Sequence, residues 1–128
     1  MLERIEEWLD ASGFKPKETE RKVISRLYKY AGTFDAIGTL NVYKKELVLI
    51  DYKSSSGIYD DFALQLAAYA QAYYEETSVR IKRGIIVHVS KDKPQHKLTI
   101  KEYKLGKRYL NKFLKLREQF DDIQVLTK

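Results

Sequence analysis

The chain has 128 residues, of which 44% are hydrophobic, and this composition is typical of one globular domain with one core. It contains no cysteine, which excludes a disulfide scaffold, a thiolate zinc site and a cysteine-ligated iron–sulfur cluster. The net charge of +6 is uneven, because residues 1–64 sum to −1 and residues 65–128 sum to +7. The basic half is either a surface that faces nucleic acid or an ordinary solvated surface.

No apolar stretch approaches the roughly 20 residues that a membrane-spanning helix needs. Residues 1–8 are acidic and amphipathic, which is unlike a signal peptide. We therefore expect no membrane partner, and a location in the cytoplasm of a prokaryote or of a virus-infected host cell.

In the first half of the chain, the spacing of apolar residues predicts one helix followed by three strands. Apolar residues recur at helical spacing over residues 2–11, and Gly13 ends that helix. Alternation of apolar and polar residues then predicts strands, with a bend at residues 30–32 and a hairpin tip at Lys44 and Lys45. The three strands are expected over residues 18–29, 33–43 and 46–53.

In the second half, the pattern predicts a helix, two strands and a final helix. The helix over residues 60–76 is the clearest element, since Phe62, Leu66, Tyr69 and Tyr73 share one of its faces. The two strands and the final helix are expected over residues 85–89, 97–104 and 107–121. The resulting order, α-β-β-β-α-β-β-α, predicts an α/β fold in which helices flank a mixed central sheet.

The third predicted strand ends in Asp51-Tyr52-Lys53, directly after four apolar residues. Because side chains alternate along a strand, Asp51 and Lys53 are expected on one face and Tyr52 on the other. Asp35 lies sixteen residues before Asp51, so a hairpin between the second and third strands would bring the two carboxylates together.

The second predicted strand is also expected to alternate strictly. Phe34 and Ala36 are then on one face, and Asp35 and Ile37 are on the other.

Two carboxylates and an ammonium group at one sheet edge are what a magnesium-dependent phosphodiester hydrolase needs. Mg²⁺ prefers oxygen ligands and keeps several waters, so Asp35 and Asp51 suffice, and the backbone carbonyl of Tyr52 can complete the shell. Lys53 would orient the attacking water or stabilise the charge of the transition state. The alternative is a structural salt bridge between Asp51 and Lys53. The position favours a site, because ionisable groups that follow a buried run are costly without a purpose.

Gln65, Tyr69 and Glu20 are further candidates. Gln65 and Tyr69 lie one helical turn apart, so both can reach a phosphate or a metal-bound water. From the residues alone we favour the simpler interpretation, in which Gln65 faces solvent and Tyr69 belongs to the core. Glu20 is either a third metal-binding carboxylate or an ordinary surface residue.

Basic residues cluster near the final helix, and the chain holds ten tyrosines. Bases can stack on tyrosine rings while lysine and arginine bind the nucleic-acid backbone. Most of the tyrosines are expected in the core, with Tyr59 and Tyr69 as candidates for stacking. The basic residues are Lys101, Lys104, Lys107, Arg108, Lys112 and Lys115.

Three segments together resemble the PD-(D/E)XK nuclease superfamily, in its RecB-like and phage-type exonuclease branch. They are Gly32-Thr33-Phe34-Asp35, Asp51-Tyr52-Lys53 and Gln65-Leu66-Ala67-Ala68-Tyr69, which match the patterns G-x-x-D, D-x-K and Q-x-x-x-Y. The resemblance extends over about residues 18–75, and the three motifs in order are much more specific than any one of them.

The resemblance implies a restriction-endonuclease-like α-β-β-β-α-β core within a single domain over residues 1–128. The residues that it places in the catalytic site are Asp35, Asp51, Lys53, Gln65 and Tyr69. It implies metal ligation by Asp35 and Asp51, a catalytic role for Lys53, and Glu20 as a further ligand. The expected cofactor is Mg²⁺ or Mn²⁺, with no iron–sulfur cluster, because the cysteines that hold one in some relatives are absent.

The resemblance also implies a DNA nuclease, which acts as an exonuclease on single strands or duplex ends and leaves 5′-phosphates. Its expected setting is recombination, repair or viral genome processing, and so short a chain is expected to form a homo-oligomer or to need a partner protein. Two alternatives stay open. One is a nucleic-acid-binding module of the same fold with weak or no catalysis, and the other is a structural protein with a strand-end salt bridge.

Overall fold

The computed structural model describes residues 2–55, 61–90 and 97–118, and these ranges contain three helices and five strands. In chain order the elements are α1 (Leu2–Ser12), β1 (Lys15–Ser25), β2 (Tyr30–Leu40), β3 (Tyr43–Ser55), α2 (Asp61–Thr77), β4 (Arg83–Ser90), β5 (Leu98–Lys104) and α3 (Lys107–Glu118). The predicted order of helices and strands is confirmed. Residue 60 of the second predicted helix and residues 119–121 of the last one lie outside the described ranges.

The five strands form one mixed sheet in the order β1-β2-β3-β4-β5. The pairs β1–β2, β2–β3 and β4–β5 are antiparallel, whereas β3 and β4 are parallel. Parallel neighbours need a crossover connection, and α2 lies between β3 and β4 in the chain. The predicted α/β class with a mixed sheet flanked by helices is therefore correct.

The sheet separates two hydrophobic clusters. On one face, Leu49 of β3 and Ile86 of β4 pack with Leu66 and Tyr73 of α2, and partly buried Phe113 of α3 joins them. The other face has its own cluster, in which strand residues pack with the first helix and the segment after it; its members include Val48, Ile50, Val87, Ile5, Trp8 and Phe14. Helices therefore cover both faces, and no helix in the described ranges is long and apolar enough to cross a membrane.

The prediction of strict alternation in the second strand is wrong at Asp35. Phe34 and Ile37 belong to the cluster beneath α2, whereas Ala36 belongs to the cluster beneath α1. On the neighbouring strand, Glu20 lies level with Asp35 and has a φ of +48°, which L-residues rarely adopt. The backbone of β1 is thus irregular at this point, and irregular strands commonly aim a side chain at a functional site.

Two turns lie elsewhere than predicted. The bend expected at residues 30–32 is a turn at residues 26–29, and β2 already begins at Tyr30. The hairpin tip expected at Lys44 and Lys45 is at residues 41–42, because Leu40 pairs with Tyr43. A two-residue connection is the commonest hairpin turn, and asparagine, here Asn41, is a favoured turn residue.

The turn before β2 is held by the end of α2. The carboxylate of Glu75 accepts hydrogen bonds from Ser25 Oγ (2.7 Å), Leu27 N (3.2 Å) and Gln71 Nε2 (2.9 Å). Burial by itself raises the pKa of Glu75, but these hydrogen bonds together outweigh burial and hold its pKa below the ordinary value. Tertiary contacts therefore decide where this turn lies.

We expect Glu75→Gln to lower the free energy of unfolding by about 1–2 kcal/mol at pH 7, because a charged acceptor of several hydrogen bonds becomes neutral. The pKa of Glu75 is depressed in the fold, so its contribution is present above the unfolded pKa and is lost as pH falls through the folded pKa. Urea denaturation at pH 7 and pH 3 measures both effects. Glu6→Gln on the exposed side of α1 is the control and should leave stability nearly unchanged. Equal stability of both variants at pH 7 would contradict the prediction.

Candidate functional site

The end of β3 presents Asp51 and Lys53 to the face covered by α2. Tyr52 packs with the cluster on the opposite face, so the predicted division of side chains is observed. Lys53 Nζ lies 2.8 Å from Asp51 Oδ2, and the Asp51 side chain is 6% exposed. The two groups form a nearly buried ion pair at the edge of the core.

Asp35 lies against the same part of β3. Its Oδ2 accepts a hydrogen bond of 2.7 Å from the backbone N–H of Tyr52. The hairpin pairs Ala36 with Ile50, which brings the neighbouring Asp35 and Asp51 together at one end. Burial and then the nearby carboxyl of Asp35 raise the pKa of Asp51, Lys53 lowers it, and the net result is a pKa of about 7. The two carboxyl groups therefore lie close enough for one to change the pKa of the other.

Gln65 is part of this cluster. Its Oε1 accepts a hydrogen bond of 2.6 Å from Lys53 Nζ, and both side chains are partly buried. The interpretation of Gln65 as a solvent-facing residue is therefore wrong. Lys53 Nζ also lies 5.1 Å from the centroid of the Phe62 ring, one turn earlier in α2. The lysine is thus held between the Asp51 carboxylate, an amide oxygen and an aromatic face.

Tyr69 lies beside the carboxylates and packs against the core. Burial, followed by the charges of Asp51 and Asp35, raises the pKa of Tyr69 to about 12. The phenol therefore stays protonated and can donate a hydrogen bond at neutral pH. Its ring lies against the backbone of Gly32, where an added Cβ would lie 2.5 Å from Tyr69 Cε1. Glycine is needed at position 32 because the ring occupies the space of a side chain.

We expect Gly32→Ala to lower the free energy of unfolding by about 1–3 kcal/mol, because the added methyl group displaces the Tyr69 ring from a packed position. Urea denaturation measures the loss. Gly106→Ala is the comparison, since its added Cβ meets nothing within 4 Å. Any loss there should be smaller and reflect only the preference for glycine over alanine before a helix. A larger loss at position 106 than at position 32 would contradict the prediction.

Glu20 does not join the carboxylate pair. It is exposed on β1, and no group of three or more histidine, aspartate or glutamate side chains that could hold a metal comes together among the described residues. The nearby Glu18 is engaged elsewhere, because it accepts hydrogen bonds from Tyr73 Oη (2.6 Å) and Arg21 (2.6 Å). Asp35 and Asp51 are thus the carboxylates gathered at the end of β3, and the carbonyl of Tyr52 remains a predicted ligand.

The donor set at the end of β3 nevertheless fits a divalent cation. Asp51 Oδ2 is buried, and its close partner among the described residues is Lys53 Nζ at 2.8 Å. A carboxylate oxygen has more than one lone pair, so Oδ2 can accept a second partner such as a cation. Mg²⁺ and Mn²⁺ prefer oxygen donors, and magnesium commonly binds through only one or two carboxylates. Asp35 and Asp51 would hold such an ion.

A cavity of about 450 Å³ lies beside the carboxylates. Its wall includes Gln65 and Tyr69 of α2, together with Tyr30 of β2 and Phe113 and Arg117 of α3. The sequence analysis missed Tyr30, Phe113 and Arg117, because no local pattern links residues of three separate elements. Tyr59, predicted to stack on a base, lies outside the described residues. Among the predicted basic residues, Lys107, Arg108, Lys112 and Lys115 are exposed on α3.

Comparisons with known proteins bear on the fold only. No family model matches the chain, and no curated protein matches it. Among solved structures, SSO0001 is similar, with a TM-score of 0.56 and 17% sequence identity. The similarity covers 94% of this chain and 56% of SSO0001, so the chain spans little more than half the length of that protein. At this identity the likeness supports an α/β fold with a five-stranded mixed sheet and three helices among the described residues.

Proposed function

We propose that the chain is a metal-dependent DNA nuclease with a restriction-endonuclease-like core, within the PD-(D/E)XK superfamily. The observation that carries the proposal is the buried carboxylate of Asp51, which lies beside a second carboxyl and 2.8 Å from Lys53 Nζ. Such a buried charge destabilises the fold, which favours a functional reason for its presence, and strongly shifted pKa values cluster at functional sites.

A divalent ion held by Asp35 and Asp51 would neutralise charge on the phosphate and lower the pKa of an attacking water. Lys53 supplies a fixed positive charge for the phosphoryl oxygens, in a partly buried position where it is weakly screened. Gln65 acts as a positioning residue, because its 2.6 Å hydrogen bond holds the ammonium group. Tyr69, with a pKa raised to about 12, can donate a hydrogen bond to a phosphate oxygen.

In the proposed reaction, water attacks phosphorus and the bond to the 3′-oxygen breaks, which leaves a 5′-phosphate and a 3′-hydroxyl. The proposed substrates are single strands or duplex ends, attacked by an exonuclease in recombination, repair or viral genome processing. A homo-oligomer or a partner protein is proposed to thread the DNA, since the short chain offers little surface to enclose it.

The second candidate function is a nucleic-acid-binding module of the same fold with weak or no catalysis. The observation that favours it is the exposed basic face of α3, formed by Lys107, Arg108, Lys112 and Lys115. Such a face binds phosphates without a metal, and its affinity falls steeply with salt. It predicts salt-dependent binding without metal-dependent cleavage.

A gel assay separates the two functions. Linear, circular and single-stranded DNA are incubated with Mg²⁺, Mn²⁺ or EDTA and with the wild-type chain, Asp51→Asn or Asp10→Asn. Asp10 is exposed on α1, which packs on the opposite face of the sheet, so it provides a matched loss of one carboxylate. Cleavage by the wild type and Asp10→Asn, only with metal and absent in Asp51→Asn, supports the nuclease. Equal cleavage by all three proteins, or none with any metal, rejects it.

A further inference from the structure

The cavity beside the carboxylates shares residues with the candidate site. Gln65, whose amide oxygen accepts a hydrogen bond from Lys53, forms part of its wall. Tyr69, which lies near the charges of Asp51 and Asp35, forms another part. A group bound in the cavity would therefore contact Gln65 and Tyr69, the two residues that the cavity shares with the candidate site at the end of β3.

Three of the nine described residues that line the cavity are aromatic, and two of these rings are held in place by contacts with each other. The rings of Tyr30 and Phe113 pack edge to face, with centroids 5.0 Å apart and an interplanar angle of 68°. The Tyr30 hydroxyl donates a buried hydrogen bond of 2.7 Å to the carbonyl of Ala68, which fixes its ring. Leu116, 39% exposed, adds an apolar side chain to the wall. Rigid aromatic surfaces of this kind bind flat rings at low entropic cost.

Arg117 brings a polar group to the same wall. One of its terminal nitrogens donates a hydrogen bond of 3.1 Å to the carbonyl of Lys29. Its Nε is buried and donates to none of the described residues. A buried guanidinium nitrogen without an acceptor is unusual, and arginine recognises base edges and phosphates through its planar set of donors. The cavity thus combines aromatic rings with an arginine side chain that makes a hydrogen bond to the backbone of Lys29.

We infer that this cavity binds one unpaired nucleobase of the strand whose phosphate lies at Asp35 and Asp51. The inference rests on the proposed function and narrows its substrate to single-stranded or frayed DNA. The volume of the cavity, about 450 Å³, lies within the range of about 300–1,000 Å³ that is usual for small-ligand pockets. A base within a duplex is stacked on both faces and paired along one edge, so it must leave the stack before it can enter the cavity.

The test measures binding without cleavage. Fluorescence anisotropy in EDTA compares a short labelled oligothymidylate with an abasic strand of the same length and charge. Backbone contacts are equal in both, so their difference reports the bases alone. We expect the unaltered protein to bind the base-bearing strand about tenfold more tightly or better, as stacking on aromatic side chains commonly provides.

Ala68→Leu tests the cavity directly, because Ala68 lies in its wall on the face of α2 that carries Gln65 and Tyr69, and the larger side chain takes up space there. We expect this variant to bind both strands with the affinity of the abasic strand, whereas Ala11→Leu, exposed on α1, keeps the difference. Arg117→Gln should weaken the base-bearing strand more than the abasic one. Arg4→Gln, also exposed on α1, loses the same charge and should weaken both strands to the same small extent.

Equal affinity of the unaltered protein for the two strands would overturn the inference, and that comparison does not depend on any variant folding. A folded Ala68→Leu variant, shown by its thermal melt, that keeps the base preference would overturn it as well. The proposed nuclease fails separately: base-dependent binding without metal-dependent cleavage keeps the cavity and rejects the hydrolase. Metal-dependent cleavage without base-dependent binding keeps the nuclease and rejects the base-binding cavity.

Discussion

Asp51→Asn is expected to stabilise the metal-free protein at pH 8 while it abolishes metal-dependent cleavage of DNA. Asp51 is 4% exposed, and its pKa is raised to about 7 by burial and by the carboxyl of Asp35. Ionised Asp51 therefore destabilises the fold, by roughly 2 to 4 kcal/mol for a shift of this size. Asparagine keeps the shape of the side chain and removes the charge. The variant should therefore be more stable but lack a carboxylate that binds the metal.

The pH dependence follows from the direction of this shift. The ordinary pKa of the carboxyl is 3.8 and the folded value is about 7, so the folded state binds more protons between these values. The stability of the wild type should therefore fall from about pH 4 to pH 7 relative to Asp51→Asn, and the difference should stay constant above pH 7. Below about pH 4 the carboxyl is protonated in both states, and this advantage of the variant should vanish.

Urea denaturation in EDTA at several pH values measures this dependence, with Asp10→Asn as the control. We expect the control to follow the wild type throughout, because Asp10 is exposed on α1. At pH 8, added Mn²⁺ or Mg²⁺ should raise the melting temperature of the wild type and of the control, but not that of Asp51→Asn. An Asp51→Asn variant that is less stable than the wild type at pH 8, or that still responds to metal, would contradict the assignment.

Lys53→Met is expected to lower the rate of DNA cleavage by about 10²- to 10³-fold, the usual effect of removing a preorganised charge from a reacting centre. Methionine has a similar length and packs well in apolar surroundings, here beside Phe62. The carboxylates remain, so metal should still raise the melting temperature. Since Lys53 lowers the pKa of Asp51, its loss should move the half-maximal metal effect to higher pH.

Lys44→Met is the matched control, because Lys44 is exposed near the start of β3 and far along the strand from Asp51. Single-turnover cleavage and thermal melts with and without Mn²⁺ measure the two properties separately. Full activity of Lys53→Met would remove the lysine from the catalytic site. Loss of the metal response in the same variant would instead make Lys53 a structural partner of the carboxylates.

The periodicity of the sequence predicted most of the architecture, because the face that a side chain occupies is a local property of a helix or a regular strand. The α-β-β-β-α-β-β-α order is observed, and so is the placement of Asp51 and Lys53 on one face with Tyr52 on the other. Local periodicity was not sufficient at Asp35, where Phe34 and Ala36 pack on opposite faces of the sheet. Periodicity cannot anticipate a backbone irregularity.

Local patterns in the sequence were thus enough to predict the fold class, the order of the elements and the candidate residues Asp35, Asp51 and Lys53. Contacts between distant elements were needed to show that Gln65 faces Lys53, that Tyr69 lies against Gly32, and that a cavity forms beside them. Such contacts also decided the turn before β2, through the hydrogen bonds of Glu75. The physical reason is the same in each case: these contacts join elements that are far apart in the chain, and packing rather than local spacing selects them.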